Sequence, residues 1–280
     1  MKTQKKYYPI ISIVVVFAIA FISSCTEPID MPLDSTYARL VVDGSITTDT
    51  MRHRVRLTKS GDALYRDPVQ VISNATVIIS DGTNQFTLNE DLQHKGVYET
   101  DPTVFGIPGR TYTLLISNVD VDDDNIFEVY TAQSILKKEN PIDSIQIEYD
   151  SRIPEYSGWF IKLYAQEIGG GRNFYLMKAY KTNVLITDSI SEFLNKSDNT
   201  GFMGGYYDGH PAYLLQKTKK DEIVKVGDTI TLEMDGIDEE YFDFISDYIL
   251  EYYPKIPIFS GPSANISTNI EPKDKSVGFF

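Results

Sequence analysis

The chain has 280 residues, with 40 acidic and 26 basic side chains and a formal charge of −14. An acid excess on that scale repels nucleic-acid phosphates and anionic lipid headgroups, which excludes both as binding partners. Aromatic residues make up 12% of the chain, more than an unfolded sequence carries, and the length suits one large or two ordinary domains.

The N-terminus carries Lys2, Lys5 and Lys6, then an apolar run from Tyr7 to Ile22, then Ser23-Ser24 before Cys25, the only cysteine. A basic start, an apolar middle and small residues at a cleavage point describe a secretory signal peptide over residues 1–24. The apolar run falls short of the ~20 residues that span a bilayer, and Pro9 interrupts it, so a retained membrane helix is the poorer reading. Ile22-Ser23-Ser24-Cys25 resembles the lipobox of bacterial lipoproteins, which implies cleavage before Cys25 and acylation of its sulfur and new amine. Losing the leader removes three lysines and no acid, so the formal charge moves from −14 to −17. With no second cysteine, a disulfide or a cysteine-based metal site is excluded.

Residues 25–37 hold two prolines and three acids without periodicity, and read as the lipidated Cys25 and a flexible tether. Glu27 and Asp30 are similar to the acidic signal that sends Bacteroidota lipoproteins to the cell surface. The resemblance implies an outer-membrane, lipid-anchored, surface-exposed location.

From Arg39 the pattern becomes short strands: Leu40-Val41-Val42, then Val55 and Leu57 alternating with Arg54 and Arg56, then Thr76 to Ser80. Asp81-Gly82 leads into Phe86-Thr87-Leu88 as a hairpin signal, and Gly96-Val97-Tyr98 and Tyr112 to Ile116 follow, the last after a Pro108-Gly109 turn. Short strands punctuated by Gly and Pro predict an immunoglobulin-like or transthyretin-like β-sandwich over residues 38–138.

Residues 139–280 predict a second β-rich domain. Trp159 to Tyr164, Phe174 to Met177 and Ile230 to Met234 read as strands, with Gly169-Gly170-Gly171 as a hairpin tip between the first two. One segment has a helical period: Tyr241, Ile245, Tyr248, Ile249 and Tyr252 fall on one face of a helix over about 238–252. Asp238 is its expected N-cap, Glu239 and Glu240 suit its first turn, and Pro254 ends it. The whole chain is therefore expected to be mainly β with one amphipathic helix near the C-terminus.

Leu40 to Ile46, Ala75-Thr76-Val77, Gly109 to Leu114, Pro262 to Ile270 and Gly278-Phe279-Phe280, together with the lipobox, resemble the Bacteroidota lipoproteins grouped as domain-of-unknown-function family 4249. That family carries no established activity and defines no catalytic residues. Its members are often encoded beside TonB-dependent outer-membrane receptors, which implies a role in uptake.

Candidate chemistry is sparse. His53, His94 and His210 lie in separate segments without zinc-motif spacing and read as solvated loop residues. Asp120, Asp122 and Asp124 are a calcium candidate, but the EF-hand glycine and final acid are missing, so the segment reads as an acidic loop and no metal is assigned. No Gly-x-Ser-x-Gly elbow is present, and Gly169-Gly170-Gly171-Arg172 lacks the ending of a phosphate loop. No cofactor and no catalytic residue are expected.

The stretch from Phe202 to Pro211 combines aromatics with turn formers, and Phe202, Tyr206, Tyr207 and His210 are the expected ligand-binding residues of a flexible loop. Ser35 and Thr50 follow an Asp, in triplets that resemble Bacteroidota O-glycosylation sites. The leading expectation is a non-enzymatic surface lipoprotein that captures a ligand or assists a TonB-dependent transporter. A structural or adhesive envelope module is one alternative. A glycan or peptide hydrolase with two facing carboxylates is another, which scattered acids such as Asp143, Glu148 and Asp150 would have to supply.

Overall fold

A computed structural model describes residues 38–61, 68–138, 140–187, 195–252 and 266–280, all within the unit from Thr36 to Phe280. The fold is mainly β, with one α-helix among the described residues. Strands β1 (Leu40–Gly44), β2 (Arg54–Lys59), β3 (Thr76–Ser80), β4 (Gln85–Glu90), β5 (Val97–Glu99), β6 (Thr111–Val119) and β7 (Glu128–Ile135) follow the alternation of the sequence. In β6, Tyr112, Leu114 and Ile116 are fully buried while the residues between them are not, and Val55 and Leu57 do the same in β2.

These strands do not separate into two independent sheets. They form one hydrogen-bonded path, completed by β15 (Ile270–Glu271) and β16 (Ser276–Phe279), in the order β15-β7-β6-β3-β4-β5-β2-β1-β16. Its narrowest links have two residue pairs in register, Asn89↔Glu99 and Glu90↔Tyr98 between β4 and β5, and Ile270↔Ala132 and Glu271↔Thr131 between β15 and β7. The two outermost strands, β15 and β16, are consecutive in the chain, so the sheet nearly closes on itself. Residues 270–279, expected to belong with the second half, therefore complete the first sheet. Strands of two and four residues are too short to announce a partner by their periodicity.

The enclosed core holds Leu40, Val42, Leu57, Ile79, Leu114 and Ile116, each worth about 1.5–3 kcal/mol of burial. Two of its tyrosines satisfy their hydroxyls. Tyr98 donates to the Ile72 carbonyl at 2.8 Å and accepts from Ala75 N–H at 2.9 Å, and Tyr112 accepts from Ile107 N–H at 2.7 Å.

The second half has two further sheets. β8 (Ser144–Asp150), β9 (Gly158–Gln166) and β13 (Tyr206–Gln216) lie in the order β13-β9-β8. β10 (Phe174–Lys181) pairs with β11 (Val184–Leu185), β12 (Lys196–Asp198) and β14 (Ile230–Ile237). Leu163, Ala165, Tyr175, Met177, Tyr207 and Leu232 share one core between them. The Gly169-Gly170-Gly171 segment is not a hairpin tip. β9 and β10 belong to different sheets, and the three glycines, at φ of 66°, 85° and 133°, carry the chain from one to the other.

Helix α1 (Glu239–Tyr252) begins as expected, with Asp238 Oδ1 accepting from Tyr241 N–H at 2.7 Å. The other carboxylate oxygen accepts from Ser134 Oγ at 2.9 Å, which ties the cap to β7. Ile245, Tyr248 and Ile249 pack with Leu176 of β10, while the rings of Tyr241 and Phe244 lie tilted against Phe279 of β16 at 5.0 and 5.5 Å. Tyr252, the last residue of the expected stripe, is exposed, and Pro254 lies outside the described residues.

Candidate functional site

The Phe202–Pro211 stretch is not one flexible loop. Only its start is a turn; from Tyr206 it is strand β13. Pairing with β9 shifts register at two places, between Asp208 and His210 and between Pro211 and Tyr213. The first shift sets Gly209 at φ 73° as an extra residue, a conformation that glycine adopts freely. Without it, His210 would face away from Tyr207; with it, both face the core. A Cβ at position 209 would also meet the Tyr164 hydroxyl at 3.0 Å.

The four expected residues are thereby divided between two faces. Phe202, Tyr207 and His210 form an inward trio, with ring centroids 4.5 Å (Phe202–Tyr207), 4.9 Å (Phe202–His210) and 5.8 Å (Tyr207–His210) apart. Burial pushes the Tyr207 phenol up to about 12 and holds the His210 imidazole below its ordinary value. Tyr206 points outward and is exposed, with its phenol beside Asp143. On that outer face it is joined by Tyr164, whose hydroxyl donates to Gln146 Oε1 at 2.8 Å, and by the facing pair Phe160 and Leu214. The outer face of β13-β9-β8 is thus the aromatic surface open to a ligand, and of the four expected residues it keeps only Tyr206.

Sequence reasoning missed the group that holds this end of the sheet together. Glu167, 2% exposed, follows the last residue of β9. Its Oε1 accepts from Asn173 Nδ2 at 2.6 Å, the Tyr175 hydroxyl at 3.0 Å and Asn199 Nδ2 at 3.1 Å. Oε2 accepts from Gly169 N–H at 2.8 Å and Gly204 N–H at 2.6 Å. Burial raises the carboxyl's pKa, but these hydrogen bonds outweigh it and bring the group down to about 2. One carboxylate with five donors pins the glycine crossover to the turn before β13. Nothing local distinguishes Glu167, since its donors come from positions up to 37 residues away.

The acidic segment does bring Asp120, Asp122 and Asp124 together, with one carboxylate oxygen from each lying within 4.8 Å of the others. Asp120 is also engaged locally, accepting from Asp124 N–H at 3.2 Å and Asn125 N–H at 3.0 Å. A groove of about 390 Å³ opens beside it, lined by Lys59, Val71, Asn74, Asn118, Asp123 and Phe127 among others. Lys59 is bound to Asp123 there at 3.0 Å.

The histidines do not share one environment. His94 is solvated and pairs with Asp91 at 2.7 Å. His53, expected in a solvated loop, is 2% exposed, with Nε2 at 3.2 Å from the Val104 carbonyl; burial holds its imidazole below the ordinary value. Acids also pair where the sequence did not show it. Glu233 and Asp235 lie on the same face of β14, and Lys178 Nζ binds them at 2.8 and 2.5 Å. Burial pushes the Asp235 carboxyl up. The ammonium occupies the space between the two acids, so the cluster is built as a salt-bridge network.

Thr50 lies on an exposed bend between β1 and β2. Cys25, Ser35 and the segments expected to be a leader and a tether lie outside the described residues. No curated protein and no solved structure matches the chain. The family model described as Domain of unknown function (DUF4249) matches residues 26–280, all of the sequence after Cys25, and the chain belongs to that family.

Proposed function

We propose that the chain is a non-enzymatic surface lipoprotein of the outer membrane, held by lipid on Cys25, that captures a ligand or assists a TonB-dependent transporter. The observation that carries the anchoring is a basic, apolar and small-residue leader ending at the only cysteine of the chain. Several acyl chains, at about 0.8 kcal/mol per buried methylene, hold a protein at a membrane far more firmly than one. The family match starts at residue 26, immediately after the acylated position, which supports the same boundary. In this reading residues 38–138, completed by β15 and β16, form an immunoglobulin-like or transthyretin-like module, and the chain between β7 and β15 supplies the second β-rich part. The outer face carrying Tyr206, Tyr164, Phe160 and Leu214 is the capture surface, since aromatic faces stack on sugar rings and on planar ligands.

Metabolic labelling with a palmitate analogue tests the anchor: the native chain takes up the probe, and Cys25→Ser abolishes labelling and releases the protein from membranes. An unlabelled native chain, or a serine variant that stays membrane-bound, refutes it. Solubilised native envelopes test the partnership. An outer-membrane barrel co-purifies with the tagged chain, and its absence from a mild-detergent preparation removes the transporter role.

A further inference from the structure

Strand β8 is paired on one side only among the described residues: β9 occupies one edge and the other is bare. Exposed edges are normally blunted by proline, bulges, inward charges or charged side chains, lysine above all. Ser144-Ile145-Gln146-Ile147-Glu148-Tyr149-Asp150 has no proline, bulge, inward charge or lysine; its two acids, Glu148 and Asp150, lie on the face away from the core, and its seven-residue register with β9 is unbroken. Ile145 and Ile147 face the core of the second half yet are only partly buried, and Tyr149 on the same face is 47% exposed, tilted against Trp159 at 5.1 Å. The core therefore reaches the bare edge with an unfinished apolar margin.

The geometry points to a second copy of this chain as the occupant, docked antiparallel along β8 about a two-fold axis at Ile147. That register sets Ile147 opposite Ile147, Ile145 opposite Tyr149, Gln146 opposite Glu148 and Ser144 opposite Asp150. Apolar side chains then meet on the core face, while on the other face each carboxylate meets an amide or a hydroxyl. No like charges oppose, although the strand carries two acids and no base. Its acids are compensated within their own chain, Glu148 by Lys162 and Asp150 by Arg152, so a copy approaching edge-on does not meet two bare anions. A two-fold contact is self-complementary in this way by construction. It would join two three-stranded sheets into one of six strands, with the two apolar margins covering each other.

The test uses the full chain in detergent and reads its self-association by sedimentation. In the proposed register Gln146 faces Glu148 twice, so Gln146→Lys tightens the dimer and Gln146→Glu loosens it, each by roughly three- to tenfold for two cross-strand pairs. Position 146 is exposed, so both variants keep the fold. A single cysteine introduced as Ile147→Cys forms a 147–147 disulfide on mild oxidation, identified by mass spectrometry of the linked peptide. A chain that sediments as a monomer at all concentrations, equal responses to the two charge variants, or no 147–147 linkage would each overturn the inference. A heteromeric complex that forms through β8 while the purified chain stays monomeric would reassign the edge to another protein.

Discussion

Val42 and Gly278 face each other in the parallel β1–β16 ladder, and a Cβ built on the glycine would stand 1.9 Å from the Val42 carbonyl oxygen. Gly278 also sits at φ 98°, where side chains are strained. Gly278→Ala is expected to cost about 3 kcal/mol, combining a backbone clash with an unfavourable conformation. Gly109, at φ 86° with open space for 4 Å around the place a Cβ would take, serves as the control, and Gly109→Ala should cost only about 1 kcal/mol. Urea unfolding of both variants measures the difference, and equal losses would show that the β1–β16 approach is not tight.

Glu167→Gln places an amide NH2 where five donors converge, leaving buried N–H groups opposed to one another. A loss of about 2–4 kcal/mol is expected. The native carboxyl, depressed to about 2 when folded, releases its proton more readily than in the unfolded chain. Its stabilisation is therefore complete above the unfolded value near 4.5 and is lost as pH falls from there toward 2, by on the order of 3 kcal/mol. Denaturation between pH 6 and 3 should show a steep loss in the native chain that the glutamine variant lacks.

His210 titrates in the opposite chemical sense but with the same slope. Its folded imidazole resists protonation because it is buried against Phe202 and Tyr207, whereas the unfolded one ionises near 6.5. Its contribution is thus present above 6.5 and declines as pH drops below it. His53 acts alike, so His210→Phe should reduce, without removing, the loss of melting temperature between about pH 7.5 and 5.5. A profile unchanged by the substitution would place the imidazole in water.

Asp238→Ala removes both the N-cap of α1 and the hydrogen bond to Ser134. About 1–2 kcal/mol should be lost, of which Asp238→Asn recovers most, because an asparagine oxygen caps nearly as well. Thermal melts of the two variants separate capping from charge.

The strands with long alternation were legible because a half-buried sheet writes its period into the chain: β2, β3, β6 and β9 are where Val55 and Leu57, Val77 and Ile79, Tyr112 and Leu114, and Ile161 and Leu163 say they should be. The helix was legible through its apolar stripe and Asp238. Pairing was not. That Val42 meets Gly278, or that β9 and β10 part company at the glycines, depends on contacts across most of the chain. The aromatic site was half legible. Residue types drew attention to Phe202, Tyr206, Tyr207 and His210, but the extra residue at Gly209 decides which of them see solvent, and a one-residue slip leaves no mark on composition.

The first strand of the large sheet waits for the last. β1 receives its outer neighbour only when residues 276–279 are available, so a chain delivered N-terminus first cannot finish that sheet until those residues emerge. Such late closure leaves the sheet open while the intervening residues are still being delivered, so that it locks among the last steps of folding.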